Sequence, residues 1–142
     1  MQRIFNIFFG FIFLILLAGC GNGNVSLKGM VTFNDNGEPL TQGTIVFLKD
    51  GQISRGDIKP DGTFIVGTGG VTDGLPSGTY QVYITGSEKV IPINEEGSNT
   101  YEPQIDRKHE RPETSGLTLE VNASTRTFDI KVDRFTGTGG GR

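Results

Sequence analysis

Alternation of apolar and polar residues is the clearest periodicity of this sequence beyond its first 19 residues. From Val25 to Phe33 the odd-numbered positions are apolar or glycine, whereas Ser26 and Lys28 are polar. A period of two places the odd positions on one face of a β-strand, and we expect that face to be buried. No segment has a convincing helical period, and Ala123 is the only alanine after position 19, which suits strands better than helices.

Six further segments have strand character and are separated by turn residues. Residues 44–49 include four consecutive apolar side chains and are the predicted centre of a sheet, whereas the more polar residues 53–58 are typical of an edge strand. Short strands with turns between them favour an all-β fold, a two-sheet antiparallel sandwich of about seven strands. The predicted strands are residues 25–33, 44–49, 53–58, 63–66, 79–85, 117–121 and 128–132.

Turn sequences suggest how successive strands connect. The run Lys59-Pro60-Asp61-Gly62 predicts a tight turn that closes a hairpin, and the last two strands are expected to form another hairpin around residues 122–125. Residues 86–116 carry many charges and no strand pattern, which predicts a long loop within a domain spanning residues 25–133. Residues 134–142 are predicted to form a flexible, glycine-rich tail.

The first 19 residues form a separate unit. Arg3 gives a basic start, and the apolar run from Ile4 to Ala18 contains five phenylalanines. A membrane-spanning helix needs about 20 apolar residues, whereas this run has 15 and stops at Gly19. The pattern predicts a signal peptide over residues 1–19.

The only cysteine of the chain, Cys20, follows Leu17, Ala18 and Gly19. This order resembles the lipobox of bacterial lipoproteins. The resemblance implies cleavage after Gly19 and acylation of the Cys20 sulfur, with residues 20–24 as a short linker. The alternative is an unmodified thiol in an uncleaved apolar segment, since one cysteine cannot form an intramolecular disulfide.

Acylation would decide where the protein is found. Each buried methylene contributes about 0.8 kcal/mol, so the two or three chains of a bacterial lipoprotein would hold the domain at the membrane. We therefore expect an exported, lipid-anchored protein of the cell envelope, facing the periplasm or carried by an outer-membrane leaflet. Gly21, where an aspartate would retain some lipoproteins, resembles the pattern that permits transfer to an outer membrane.

Length and charge limit the function classes. Removal of residues 1–19 leaves 123 residues, enough for one domain with its own core. It removes one of 13 basic residues and none of the 16 acidic ones, so the net charge changes from −3 to −4. An acidic surface without a basic stripe disfavours nucleic acid as a partner.

Three sequence blocks resemble the carboxypeptidase-regulatory-like, or transthyretin-like, domains of small bacterial lipoproteins. The resemblance covers most of residues 25–133 and implies a prealbumin-like or immunoglobulin-like sandwich with an accessory, adhesive or scaffolding role and no catalytic residues. Lys108-His109 stands where a Lys-Tyr pair is common in the family. The blocks are Gly29–Phe33 with Gly37–Leu40 and Gly43–Phe47, Asp61–Phe64 with Asp73–Val82, and Pro112–Thr118 with the strands after it.

Histidine-based catalysis would have to use His109, the only histidine. It lies among Arg107, Lys108, Glu110 and Arg111, and we expect a solvated, charged loop there. The transthyretin relatives that hydrolyse 5-hydroxyisourate use several histidines and a Tyr-Arg-Gly-Ser type ending, whereas this chain ends in Gly-Gly-Gly-Arg. We expect a protein that is not an enzyme and has no cofactor.

Two tyrosines and two basic residues form the candidate binding surface. Tyr83 and Tyr101 could stack on a sugar or anchor a protein, with core packing as the alternative for both. Arg107 and His109 lie in the predicted loop, where a sandwich usually carries its interactions.

A calcium site is conceivable, because four aspartates lie near glycines, but no EF-hand spacing is present and Asp-Gly is ordinary turn composition, so no metal is expected. These aspartates are Asp35, Asp57, Asp61 and Asp73.

These observations predict a lipid-anchored envelope module with a structural or protein-interaction role. A carbohydrate-binding or peptidoglycan-binding accessory domain is the alternative, and a transthyretin-like hydrolase is a weaker one. The sequence names neither an envelope protein nor a glycan as the partner.

Overall fold

The computed structural model describes residues 23–67, 74–93 and 97–137. Within these ranges the chain forms nine strands and one short 3₁₀ helix, and the all-β prediction is confirmed. The predicted signal peptide, the lipobox residues Leu17, Ala18 and Gly19, and Cys20 lie outside the described residues. The strands are β1 (Leu27–Phe33), β2 (Thr44–Lys49), β3 (Gln52–Asp57), β4 (Thr63–Val66), β5 (Gly78–Thr85), β6 (Lys89–Pro92), β7 (Asn99–Glu102), β8 (Leu117–Val121) and β9 (Ile130–Val132), and the 3₁₀ helix is Arg107–Glu110.

Two sheets enclose the core, and a separate hairpin accompanies them. One sheet has the order β4-β1-β9, the other has the order β3-β2-β5-β8, and β6 pairs only with β7. Both larger sheets contribute to a single cluster of buried apolar side chains, with Phe47 contacting Phe64 and Tyr80 at ring-centroid distances of 6.3 Å. As predicted, β2 is central in its sheet and β3 lies at an edge.

The alternation in β1 has the predicted consequence. Leu27, Val31 and Phe33 are buried, and Gly29 occupies the position between them where no side chain fits. A Cβ on Gly29 would lie 1.9 Å from the carbonyl oxygen of Phe128, so the close approach of the two backbones requires glycine. In the other sheet, Asp50 and Gly51 form the two-residue turn between β2 and β3, with φ values of +50° and +78°.

Both predicted hairpins are wrong in their pairing. The turn at residues 59–62 carries the chain from one sheet to the other, because β3 pairs with β2 whereas β4 pairs with β1. A single antiparallel bridge, between Arg55 and Gly67, is what remains of the predicted hairpin. Likewise β8 pairs antiparallel with β5, whereas β9 pairs parallel with β1. A turn signal shows where the chain reverses, but the choice of partner depends on which inward face completes the core.

The segment predicted as a long loop contains regular structure. Residues 86–116 include the β6–β7 hairpin and the 3₁₀ helix, which accounts for nine strands instead of seven. The predicted tail also begins too early, because Arg134 forms a β-bridge with Ile105 and the N–H of Phe135 donates to the carbonyl of Gln104 at 3.0 Å. Residues 138–142 lie outside the described ranges.

The strand register defines two ends of the sandwich. The entry end carries Val25, which bridges to Leu75, and the start of β5 at Gly78. The opposite end carries Phe33, where β1 ends, and Thr85, where β5 ends. The chain continues from this opposite end, after β5, into the β6–β7 hairpin and then into the 3₁₀ helix. Within the described ranges, no helix has the length and hydropathy that crossing a bilayer requires.

Candidate functional site

The opposite end of the sandwich holds a polar cluster centred on His109 and Asp133. The chain segment before the 3₁₀ helix runs beside the residues after β9, with the N–H of Asp106 donating to the carbonyl of Asp133 at 2.8 Å. One turn later, the N–H of Asp133 donates to Nε2 of His109 at 3.1 Å. At the 3₁₀ helix the backbone turns away from the residues after β9, and the imidazole takes the place of a backbone carbonyl as the acceptor for the N–H of Asp133.

His109 is buried, contrary to the expectation of a solvated loop. Its exposed fraction is 4% although its sequence neighbours Arg107 and Lys108 are exposed. Burial, followed by the charge of Lys108, lowers the pKa of His109 below its ordinary value of 6.5. Since Nε2 accepts a hydrogen bond, the proton of the neutral ring is on Nδ1, a buried nitrogen with no hydrogen-bond partner among the described residues.

Asp133 joins three parts of the chain. Its carboxylate accepts hydrogen bonds from Nζ of Lys108 and, at 2.8 Å, from Nδ2 of Asn34 at the end of β1. The Lys108 ammonium, followed by the Asn34 amide, lowers the pKa of Asp133 to about 2. The Lys108 helix is further fixed by Asp106, whose carboxylate accepts from the N–H of Lys108 at 3.0 Å.

Arg134 extends this cluster over the surface. Its guanidinium pairs with Asp35 at 2.9 Å and with Glu38 at 3.2 Å, and it stacks 3.8 Å above the ring of Phe33. These groups are partly exposed, and each such ion pair contributes little on its own. Together the contacts fasten the residues after β9 to the turn after β1, which is a structural role.

The β6–β7 hairpin is the most exposed apolar feature of the described chain. All eight strand residues are exposed, and Tyr101 and Ile93 have exposed fractions of 66% and 65%. Val90, directly opposite Tyr101 in the register, is 53% exposed. Soluble domains rarely leave neighbouring large apolar side chains open unless a partner covers them.

The four predicted binding residues do not form one surface. Arg107 and His109 share the 3₁₀ helix, but His109 is buried within it. Tyr101 lies on the hairpin, whereas Tyr83 lies in the middle of β5, half-buried and opposite Val46 of β2. Tyr83 and Tyr101 therefore belong to different sheets, and Tyr101 alone of the four presents a largely open aromatic ring.

Sequence reasoning missed the partners of His109 and the hairpin. Asp133 is 24 residues from His109, and no local pattern marks that contact. The hairpin did leave a signal, because Val90-Ile91-Pro92-Ile93 is an apolar run interrupted by a proline, which is typical of an edge strand. The dense charges around it concealed that pattern.

An open groove of about 450 Å³ lies at the entry end, between Pro76 and the turn at Asp50. Its polar groups are held by neighbouring backbone: Nζ of Lys49 donates to the carbonyl of Ser77 at 2.7 Å, and the hydroxyl of Tyr80 donates to the carbonyl of Pro76 at 2.8 Å. Because these two polar groups already bond to backbone carbonyls, their role in the groove is to hold the loop at Pro76 and Ser77 against β2 and β5.

The described residues contain no group of three or more His, Cys, Asp or Glu side chains placed to hold a metal ion. Asp35 pairs with Arg134, Asp57 accepts from the hydroxyl of Thr44 at 3.2 Å, and Asp61 accepts from Thr63. These three carboxylates are thus engaged at separate places, and Asp73 lies outside the described residues.

Comparisons with solved structures give distant likenesses. A variant of BcpA, the major pilin subunit of Bacillus cereus, has 13% sequence identity and a TM-score of 0.46, with 78% of this chain and 30% of the pilin chain covered. A DUF3823 family protein from Bacteroides ovatus has 19% identity and a TM-score of 0.41, with 77% of this chain and 44% of that chain covered. This chain therefore spans less than half the length of either protein.

No protein-family model matches the sequence, and no curated protein matches it at a significant level. Likenesses of the size found among solved structures assign neither a family nor a function.

Proposed function

We propose that this chain is a lipid-anchored module of the cell envelope that binds a protein partner through its β6–β7 hairpin and performs no catalysis. The observation that carries the proposal is the exposure of apolar side chains on both strands and at the end of that hairpin, including Tyr101 at 66%. An exposed aromatic ring beside aliphatic side chains is typical of residues that dominate binding energy at protein interfaces. The resemblance to transthyretin-like domains, with their accessory and adhesive roles, agrees with this proposal.

The positions of the two ends support such a role. If Cys20 carries the lipid, five residue steps separate it from Val25, a reach of at most about 18 Å. The entry end would then lie near the membrane. The hairpin leaves the other end of β5, whose eight residues span roughly 26 Å. An anchored domain of this shape presents the hairpin away from the lipid surface, where an envelope protein can reach it.

The geometry of His109 supports a role without catalysis. Its Nε2 accepts a hydrogen bond from a backbone N–H, and only 5% of its side chain is exposed. An imidazole that acts as a base needs an accessible nitrogen within hydrogen-bond distance of the group that loses a proton. The only histidine of the chain instead holds two segments together.

Site-specific photo-crosslinking tests the proposed binding. A photoreactive amino acid replaces Tyr101 in the full chain expressed in its native envelope, and Ile53, 44% exposed on β3, serves as the matched control position. We expect a discrete protein adduct from position 101 and none of the same mass from position 53. Equal adducts from both positions, or none from position 101, would contradict the proposal.

The anchor has its own test. Intact-mass analysis of protein purified from membranes should show an acylated chain that begins at Cys20, and Cys20→Ser should release the protein into the soluble fraction. An unmodified thiol with residues 1–19 still attached would contradict the anchoring part of the proposal.

Carbohydrate binding is the second candidate, favoured by the open ring of Tyr101. Sugars stack on exposed aromatic rings, and the phenol adds a hydrogen-bonding group. The test uses residues 21–142, expressed without the predicted signal peptide and without Cys20, and called the soluble domain below. Its binding to purified peptidoglycan sacculi should fall with Tyr101→Ala and persist with Tyr101→Phe, which keeps the ring. Equal binding by both variants would remove this candidate.

A further inference from the structure

The two outer edges of the β6–β7 hairpin differ in their capacity to accept another strand. The N–H of Ile93 donates to the carbonyl of Ser98 at 2.8 Å, and these residues continue the register in which Ile91 lies opposite Thr100. In an antiparallel pair, residues that exchange hydrogen bonds alternate with residues whose backbone groups point outward. Pro92 and Asn99 therefore form an outward-pointing pair, and so do Val90 and Tyr101.

Proline closes one of these edges. Pro92 lacks an N–H, so the outer edge of β6 offers a single donor, that of Val90. The outer edge of β7 offers the N–H and C=O groups of both Asn99 and Tyr101. Every residue of β7 is exposed, and the alternation of the register directs the N–H groups of Asn99 and Tyr101 away from β6. A sheet edge with open donors and acceptors is a template for pairing.

We propose that β7 binds an extended segment of another protein by strand addition, which makes the hairpin a three-stranded sheet. This inference rests on the proposed function and names the kind of partner that it requires. Main-chain hydrogen bonds to Asn99 and Tyr101 supply the pairing, and Tyr101 with Val90 supplies an apolar cross-strand row for a β-branched or aromatic residue. A two-stranded ribbon is only marginally stable alone, and a third strand stabilises it.

Charge determines the rest of the partner's chemistry. In the sequence, residues 88–102 contain four acidic side chains and one basic side chain, Lys89. Glu88 and Glu102 belong to the described residues, whereas Glu95 and Glu96 lie outside them. An acidic segment attracts a basic strand and disfavours an acidic one. It also disfavours a second copy of this hairpin, which would bring like charges together. The occupant is therefore an extended, basic segment with alternating apolar residues.

Selection from a phage-displayed library of random peptides on the soluble domain tests this proposal. We expect selected peptides with alternating β-branched or aromatic residues and a net positive charge. Asn99→Pro removes an outward donor of β7 without touching the bonds to β6, and it should weaken binding about tenfold or more. Asn99→Ala keeps the donor and should bind as the original does. Val90→Pro, the matched change on the other edge, leaves both donors of β7 in place and should weaken binding less than Asn99→Pro does, because it alters only part of the apolar row.

Amide hydrogen exchange locates the peptide. In the complex, exchange at Asn99 and Tyr101 should slow most, whereas the amide of Thr100, already bonded to β6, should slow less, through the added stability of the hairpin. Equal weakening by Asn99→Pro and Val90→Pro, or protection of other amides without protection of Asn99 and Tyr101, would overturn the proposal. Concentration-dependent protection of Asn99 without peptide would also overturn it, because the occupant would then be a second copy. If the Tyr101 crosslink to an envelope protein persists in Asn99→Pro, strand addition fails while the proposed function stands.

Discussion

The backbone N–H of Asp133 donates a hydrogen bond to Nε2 of His109 over 3.1 Å. The imidazole side chain thus extends the backbone pairing that begins with the bond from the N–H of Asp106 to the carbonyl of Asp133. The bond to His109 joins residues 24 positions apart and fixes the 3₁₀ helix against the end of the β9 strand. Because the imidazole is the acceptor, this contact requires the neutral ring. The stability of this end of the sandwich is therefore linked to the protonation of one histidine.

Replacement of His109 should destabilise the domain through an unpaired donor. His109→Phe keeps a planar ring but leaves the part-buried N–H of Asp133 without its acceptor, which should cost about 1 kcal/mol, the lower end of the range for a buried group. His109→Gln retains an acceptor oxygen and should cost less. Urea unfolding of the soluble domain measures both, and a His109→Phe variant as stable as the original protein would show that water replaces the acceptor freely.

Acidification below about pH 6.5 should weaken the domain through His109. Burial lowers the pKa of His109 in the folded state, whereas the unfolded imidazole titrates near 6.5. The stabilising contribution of the neutral ring is fully present above about pH 6.5 and falls as the pH drops from there through the folded pKa, because the unfolded chain binds the proton first. The urea midpoint should decline over this window, and His109→Gln should remove the decline. An unchanged decline in that variant would assign it to another group.

A second acid transition should belong to Asp133. Its folded pKa is about 2 because Lys108 and Asn34 stabilise the carboxylate, against an ordinary value of 3.8. Its contribution is present above about pH 3.8 and is lost as the pH falls toward 2. Asp133→Asn should flatten thermal stability over this window, and Lys108→Met should flatten it in part by removing the first cause. Equal acid sensitivity in all three proteins would contradict this assignment.

Two glycine variants should separate crowding from backbone strain. Gly29→Ala places a methyl group 1.9 Å from the carbonyl oxygen of Phe128 and should cost about 3 kcal/mol or more. Gly86→Ala has open space around its Cβ but a φ of +65°, so it should cost only about 1–2 kcal/mol. Thermal or urea unfolding measures both, and a smaller loss for Gly29→Ala than for Gly86→Ala would contradict the observed packing.

The sequence predicts the faces of the strands well and their partners poorly. Leu27, Val31 and Phe33 are buried as their period of two indicates, because side-chain direction is a local property of a strand. The pairing of β9 with β1 brings Val31 opposite Ile130, almost a hundred residues away, and depends on how the whole core closes.

In the candidate site, too, the sequence predicts one feature and misses another. The open ring of Tyr101 follows from a polar, charged neighbourhood that is visible in the sequence. The burial of His109 does not, because Arg107, Lys108, Glu110 and Arg111 around it are the residues of a solvated loop. The acceptor for Asp133 that the imidazole provides arises only from the tertiary arrangement.

The parallel pairing of β9 with β1 also orders the events of folding. The first strand of the domain remains an edge until residues 130–132, near the end of the chain, reach it. Contacts of such long sequence separation form slowly, since a large loop must close before they are made. A polypeptide with this connectivity completes its first sheet only after β9 has been synthesised, so the N-terminal strand stays without one of its two neighbours throughout translation.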